Sequence, residues 1–206
     1  MISATPLLTG LTMVLLCLAF ATVLLPLNRL PLAVRLLVIV GITLSVLLPL
    51  SDYPGWYYVR SVFGDCSITA LFFYIALILQ QHFSLQPYQE NELILLRRLV
   101  LAAAILLYPF ALGLTQFDSY SPGFTGPWLL AVLLLITLFC WYKKYYFLAV
   151  TLTAGVTAWS LQLLESLNLW DYLIDPALLL IMILTWLWPS VKNIFPYPPC
   201  KNHRCS

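Results

Sequence analysis

Charge is what this chain has least of. Only 9% of its 206 residues are Asp, Glu, Lys or Arg, while 62% are hydrophobic; a soluble domain carries about a quarter of charged residues. So little charge cannot cover a domain surface in water, which excludes a soluble enzyme or a soluble binding module. A basic surplus is missing too. Ten Lys and Arg against eight Asp and Glu leave a net charge of +2, with no cationic stripe to neutralise phosphates, so nucleic acid is not an expected partner. The five cysteines form no disulfide pattern: Cys17 and Cys140 lie inside apolar runs, Cys66 at the edge of one, and only Cys200 and Cys205 share a polar segment. None of the five asparagines begins an Asn-x-Ser/Thr glycosylation acceptor, which fits a bacterial source.

Further absences narrow the chemistry. The middle of every apolar run lacks Asp, Glu, Lys, Arg and His, the residues a proton relay or charged translocation path normally needs. Histidine is confined to His82 and His203. Both fall on the side assigned below to the cytoplasm, leaving no histidine general base for the outer face. Cys200, His203 and Cys205 supply three soft ligands where a zinc site normally takes four, so neither a metal nor another cofactor is expected. The proline-rich start of that tail reads as extended chain, and its cysteines as reduced or acylated. No internal repeat and no long linker interrupt the chain, which reads as one domain over 1–206.

What the chain does have is apolar length. At about 20 residues per crossing, hydropathy predicts an all-α, polytopic membrane helix bundle of about seven transmembrane helices. The expected spans are 7–27, 31–50, 66–83, 96–115, 127–142, 145–164 and 176–191, with 192–206 left as a short tail. A secretory signal in the first segment is disfavoured despite Ala19-Phe20-Ala21, because no Lys or Arg precedes the apolar run. Cations set the orientation, since Lys and Arg accumulate in short cytoplasmic loops. Arg29, Arg35, Arg97, Arg98, Lys143, Lys144, Lys192, Lys201 and Arg204 all fall on one side, and Arg60 alone falls on the other, with Asp52, Asp65, Asp118, Glu165, Asp171 and Asp175. The N-terminus is therefore expected outside and the C-terminus in the cytoplasm, in the inner membrane of a bacterium. Trp141, Tyr142, Tyr145 and Tyr146 around Lys143-Lys144, with Trp186 and Trp188, suit the headgroup level.

Three outer segments carry the remaining polarity. Residues 51–67 interleave Trp56, Tyr57, Tyr58 and Phe63 with Asp52, Arg60 and Asp65, as expected of a stretch lying along the membrane interface. Either Asp65 or Ser67 suits the N-cap of the third span. Residues 116–126 read as a turn-rich loop in which Thr125 can cap the helix that Pro127 opens. In the run ESLNLWDYLIDP, Glu165, Asn168, Asp171 and Asp175 are spaced 3, 3 and 4. On a helix continuing past the sixth span they would share one acidic face. Asp175 before Pro176 also has the arrangement of a helix cap.

Glu165 and Asp171 are therefore the candidate catalytic residues. Arg60, Trp56, Tyr57 and Asn168 are the candidates for binding a substrate or an anion, because an Arg clamps carboxylate or phosphate bidentately. Pro109 in the fourth span should kink it. Thr151, Thr153, Thr157 and Ser160, beside Ala154, Gly155 and Ala158, give the sixth span a small, hydroxyl-rich surface suited to tight helix contact. Three function classes remain. The first is an accessory or structural subunit of a membrane assembly, with membrane lipids and a membrane protein as partners. The second is an enzyme acting on a lipid or lipid-linked substrate at the outer leaflet through the acidic site. The third is a small-solute or lipid transporter.

Overall fold

In the computed structural model, residues 5–25, 27, 30–83, 85–111, 118–125 and 127–187 are described. They are all-helical, with no strand among them: α1 (Thr5–Leu24), α2 (Leu32–Leu47), α3 (Gly55–Phe63), α4 (Ile68–Phe83), α5 (Glu90–Ala111), α6 (Pro122–Thr125), α7 (Pro127–Tyr142), α8 (Tyr146–Ser160), α9 (Trp170–Leu173) and α10 (Pro176–Leu187). The seven longer helices fall on the seven apolar segments. By itself, only Glu90–Phe110 of α5 is both long and apolar enough to cross a membrane among the described residues. Arg29, Gly113, Trp188 and the tail with Lys192, Cys200, Lys201, His203, Arg204 and Cys205 lie outside the described residues, as does the side chain of Thr125.

The core is centred on α1 and α4. Met13, Leu16 and Ala19 of α1 and Ala70, Phe73 and Tyr74 of α4 have no exposed surface, and these two helices pack against each other more extensively than any other pair. Leu178 and Ile181 of α10 and Leu148 of α8 complete the centre. The outer helices are apolar on both faces. α5 turns Leu93, Leu96, Val100, Ala104 and Leu107 inward at helical spacing, yet Ile94, Leu101, Ile105 and Leu106 face out. On α2 only Val46 is buried, while Leu32, Leu36, Leu37, Val40 and Leu44 are exposed; α7 likewise exposes Trp128, Leu134, Leu135 and Leu138.

Two features, one between the expected spans and one at odds with them, shape the acidic end. Residues 55–63 form α3, bent by 119° from α4. Gly64 makes this corner at φ 74, a left-handed conformation with little cost for glycine. Gly55 lets α3 cross α2, since a Cβ there would lie 2.1 Å from the Ser45 carbonyl oxygen. The second corrects the acidic helix. α8 ends at Ser160, so Glu165, Asn168, Asp171 and Asp175 do not share a helical face. Gln162 adopts φ 50, Leu163 N–H donates to the Ala158 carbonyl at 3.1 Å and Gln162 N–H to that of Trp159 at 3.0 Å, the paired bonds of a Schellman stop. Lys144, at φ 60, stops α7 in the same way, with Tyr145 N–H on the Cys140 carbonyl at 2.8 Å and Lys144 N–H on that of Trp141 at 3.0 Å.

The small-residue surface of α8 is likewise divided. Thr151, Gly155 and Ala158 are buried, and a Cβ on Gly155 would come within 3.1 Å of Leu173. Thr153, Thr157 and Ser160 face away, their hydroxyls each bonded at 2.8 Å to a carbonyl one turn back. α5 continues through Pro109 to Ala111.

Candidate functional site at the acidic end

Three loops meet at the end of the bundle that carries most of the acidic residues. The first contact is a charge cluster. Arg60, on the last turn of α3, binds Asp65 through two bonds, Nε to Oδ1 at 2.7 Å and Nη2 to Oδ2 at 3.0 Å. The same Nη2 lies 2.7 Å from Glu165 Oε2. The hydrogen bond that Arg60 donates to Asp65 leads the effects that push its pKa upward, so the guanidinium stays charged. Thus Arg60 and Glu165 are brought together, and the fork of Arg60 is occupied by carboxylates of its own chain.

Asp171 belongs to a second cluster. Its Oδ2 accepts from the Tyr120 hydroxyl at 2.7 Å and from the Ser166 hydroxyl. Burial and the bond to Asp171 push the Tyr120 hydroxyl up to about 12, keeping it a donor. Asn168, fully buried, joins the loops around this pair. Its Nδ2 donates to the Tyr120 carbonyl at 2.9 Å and its Oδ1 accepts from Trp170 N–H at 2.9 Å. A Cβ on Gly123 would fall 1.8 Å from that Oδ1, so the 118–125 loop passes Asn168 at a point only glycine fits. Asp118 orders the same loop by accepting from the N–H groups of Tyr120 and Ser121 at 2.9 and 3.0 Å.

Asp175 sits deepest, 4% exposed. Its Oδ1 accepts from Leu178 N–H at 2.7 Å, capping α10, and its Oδ2 from Ser67 N–H at 2.9 Å, at the start of α4. Ser67 in turn caps α4, accepting from Ala70 N–H at 3.1 Å. The carboxylate thus meets the positive ends of two helix dipoles. Burial nevertheless raises its pKa, against the pull of these backbone donors.

The other two candidates stand apart from the acids. Trp56 is half-buried against α1, its indole 3.5 Å from where a Cβ of Gly10 would be. Tyr57 is exposed and stacks on Tyr53, ring centres 4.7 Å apart. Between the clusters lies a cavity of about 320 Å³, lined among others by Asp65, Asp171, Asp175, Tyr108, Tyr120 and Ser166. No group of three His, Cys, Asp or Glu able to hold a metal occurs among the described residues.

One polar site lay outside the expected set. At the opposite, basic end, Glu92 is 3% exposed. Its Oε2 accepts from Gln89 N–H at 2.7 Å and its Oε1 from Phe147 N–H at 3.0 Å, tying the start of α5 to that of α8. The spacing Gln89-x-x-Glu92 before an apolar run is half of a capping box and could have revealed it.

Compared with known protein families, curated proteins and solved structures, the chain matches none.

Proposed function

We propose that the chain is an integral membrane protein with seven spans, and that it serves as an accessory or structural subunit of a membrane assembly. The apolar outward faces of α2, α5 and α7 support the spans, because such surface is stable against lipid and not against water. Helices of 16 residues reach only about 24 Å; flanking residues or local bilayer thinning make up the difference. With the cations of the basic end in the cytoplasm, the acidic end faces outward and α3 lies along the interface with its rings. A bacterial inner membrane remains the proposed location.

One observation carries the accessory reading: the charged and amide side chains of the acidic end are largely satisfied by side-chain and backbone groups of the same chain. Arg60 is held by Asp65 and Glu165, Asn168 by two loops, and Asp175 by two helix starts. Such groups stiffen three loops into a cap. The test is affinity purification in mild detergent with mass spectrometry of the bound proteins. A stoichiometric membrane protein partner is the expected result. A chain that runs as a monomer, with no partner at native expression, would overturn the reading.

A second reading, an enzyme acting on a lipid or lipid-linked substrate, is favoured by the cavity beside Asp171. The Oδ1 of that residue has no donor among the described residues, so it is available to accept from a hydroxyl or amine placed there. Under this reading Asp171→Asn abolishes turnover of an added lipid-linked substrate while the protein still accumulates in the membrane. The transporter reading draws less support, since the α8 hydroxyls bind their own helix.

A further inference from the structure

At the basic end a groove of about 580 Å³ opens between α5 and α10, within the size range of ligand-binding clefts. Its walls are Ile94 and Leu101 of α5 with Met182 and Ile183 of α10, and Arg97 and Arg98 stand at it together with Trp186. No acidic residue lines it among the described residues. Arg98 is exposed and makes no salt bridge among the described residues, while Trp186 is 68% exposed. An apolar wall takes an acyl chain. Two arginines lining one groove complement a phosphate, which Arg can bind bidentately, and an exposed indole marks the headgroup level. Basic pockets between spans on the cytoplasmic side have this character.

We propose that this groove binds one anionic phospholipid of the inner leaflet, its phosphate on Arg97 and Arg98 and a chain against Leu101, Met182 and Ile183. The proposal rests on reading α5 and α10 as spans with their basic ends in the cytoplasm. It adds a lipid contact at the end opposite the acidic cap, on the helix that by itself is long and apolar enough to cross a membrane among the described residues.

The test is native mass spectrometry of the full chain in detergent, titrated with phosphatidylglycerol or with phosphatidylcholine, and with inorganic phosphate as competitor. The wild type is expected to hold one phosphatidylglycerol about tenfold more tightly than phosphatidylcholine, equivalent to about 1.4 kcal/mol. Arg97→Gln with Arg98→Gln should remove that preference. Arg98→Gln alone, at an exposed position that tolerates change, should cut it to about threefold. Equal binding of the two lipids by the wild type would overturn the proposal, as would full preference in Arg98→Gln or competition by millimolar phosphate. Membrane fractionation separates the two levels of failure. A chain recovered in the soluble fraction overturns the spans as well, whereas a membrane-embedded chain without lipid preference removes the groove site alone.

Discussion

Asp175 and Glu92 are two buried carboxylates at opposite ends of the same bundle, and each accepts backbone N–H groups from the starts of two helices. Asp175 joins α10 to α4 across 108 positions of sequence, and Glu92 joins α5 to α8 across 55. Both satisfy donors that a helix start leaves without an intrahelical partner. Their surroundings differ. Asp175 is set against the start of the central helix α4 and borders the cavity of about 320 Å³, with Phe63, Leu107, Tyr108 and Ile174. Glu92 borders an open polar pocket of about 520 Å³ with Gln80, Gln89 and Lys144. The same chemical device therefore closes a junction beside a smaller cavity with a largely apolar and aromatic lining at one end and beside a larger, more polar pocket at the other, and water available to replace a lost hydrogen bond should set the cost of removing each.

The largest expected effect is at Asp175, beside the smaller and less polar cavity. Asp175→Ala leaves two buried N–H groups without acceptors and opens a small void, a loss of about 3 kcal/mol. Thermal unfolding in detergent reads it. Glu92→Ala removes the same number of bonds, but water in the adjoining pocket can replace them, so about 1.5 kcal/mol is expected. A loss at Glu92 equal to that at Asp175 would erase the distinction.

Asp175 should also show in the pH dependence of stability. Asp175 has its folded pKa raised above 3.8 by burial, so at intermediate pH the folded chain retains a proton that the unfolded chain has released. Its contribution is fully present below the unfolded value and is lost as pH rises through the raised folded value. The melting temperature of the wild type should fall over that window, and Asp175→Asn should remove this component of the slope. An unchanged slope in the variant would place the titration elsewhere. The smallest effect is at the rim of the cap. Glu165, with a side chain 66% exposed, forms an ion pair screened by water, and Glu165→Gln should change stability by less than about 0.5 kcal/mol. A much larger loss would make the rim part of the Asp175 junction.

How much of this was legible along the chain varies by feature. The α7 boundaries, Pro127 to Tyr142, were readable at both ends because a proline opens the helix and a Lys-Lys turn closes it. Asp175-Pro176 was readable as a cap, and the predicted hydrogen bond is present. Ser67 rather than Asp65 caps α4, because Asp65 is taken by Arg60. The end of α8 was hidden: the left-handed position that stops it is Gln162, and neither glycine nor asparagine announces it. Once that helix stops, the 3-3-4 spacing of the acids loses its geometric meaning. Glu165 turns to α3, Asp171 to the 118–125 loop and Asp175 into the core.

Composition and periodicity determined by themselves that this protein is built from apolar helices, where most of them lie, and which end collects the acids. Those properties follow from local backbone hydrogen bonding and from the scarcity of charge, both carried by short stretches of chain. Only the tertiary structure decided which acid meets which donor. Asp175 finds Ser67, Glu92 finds Phe147 and Glu165 finds Arg60 because packing around α1 and α4 brings helix ends together that are far apart in sequence. A buried carboxylate must then be satisfied by whichever donors that packing supplies.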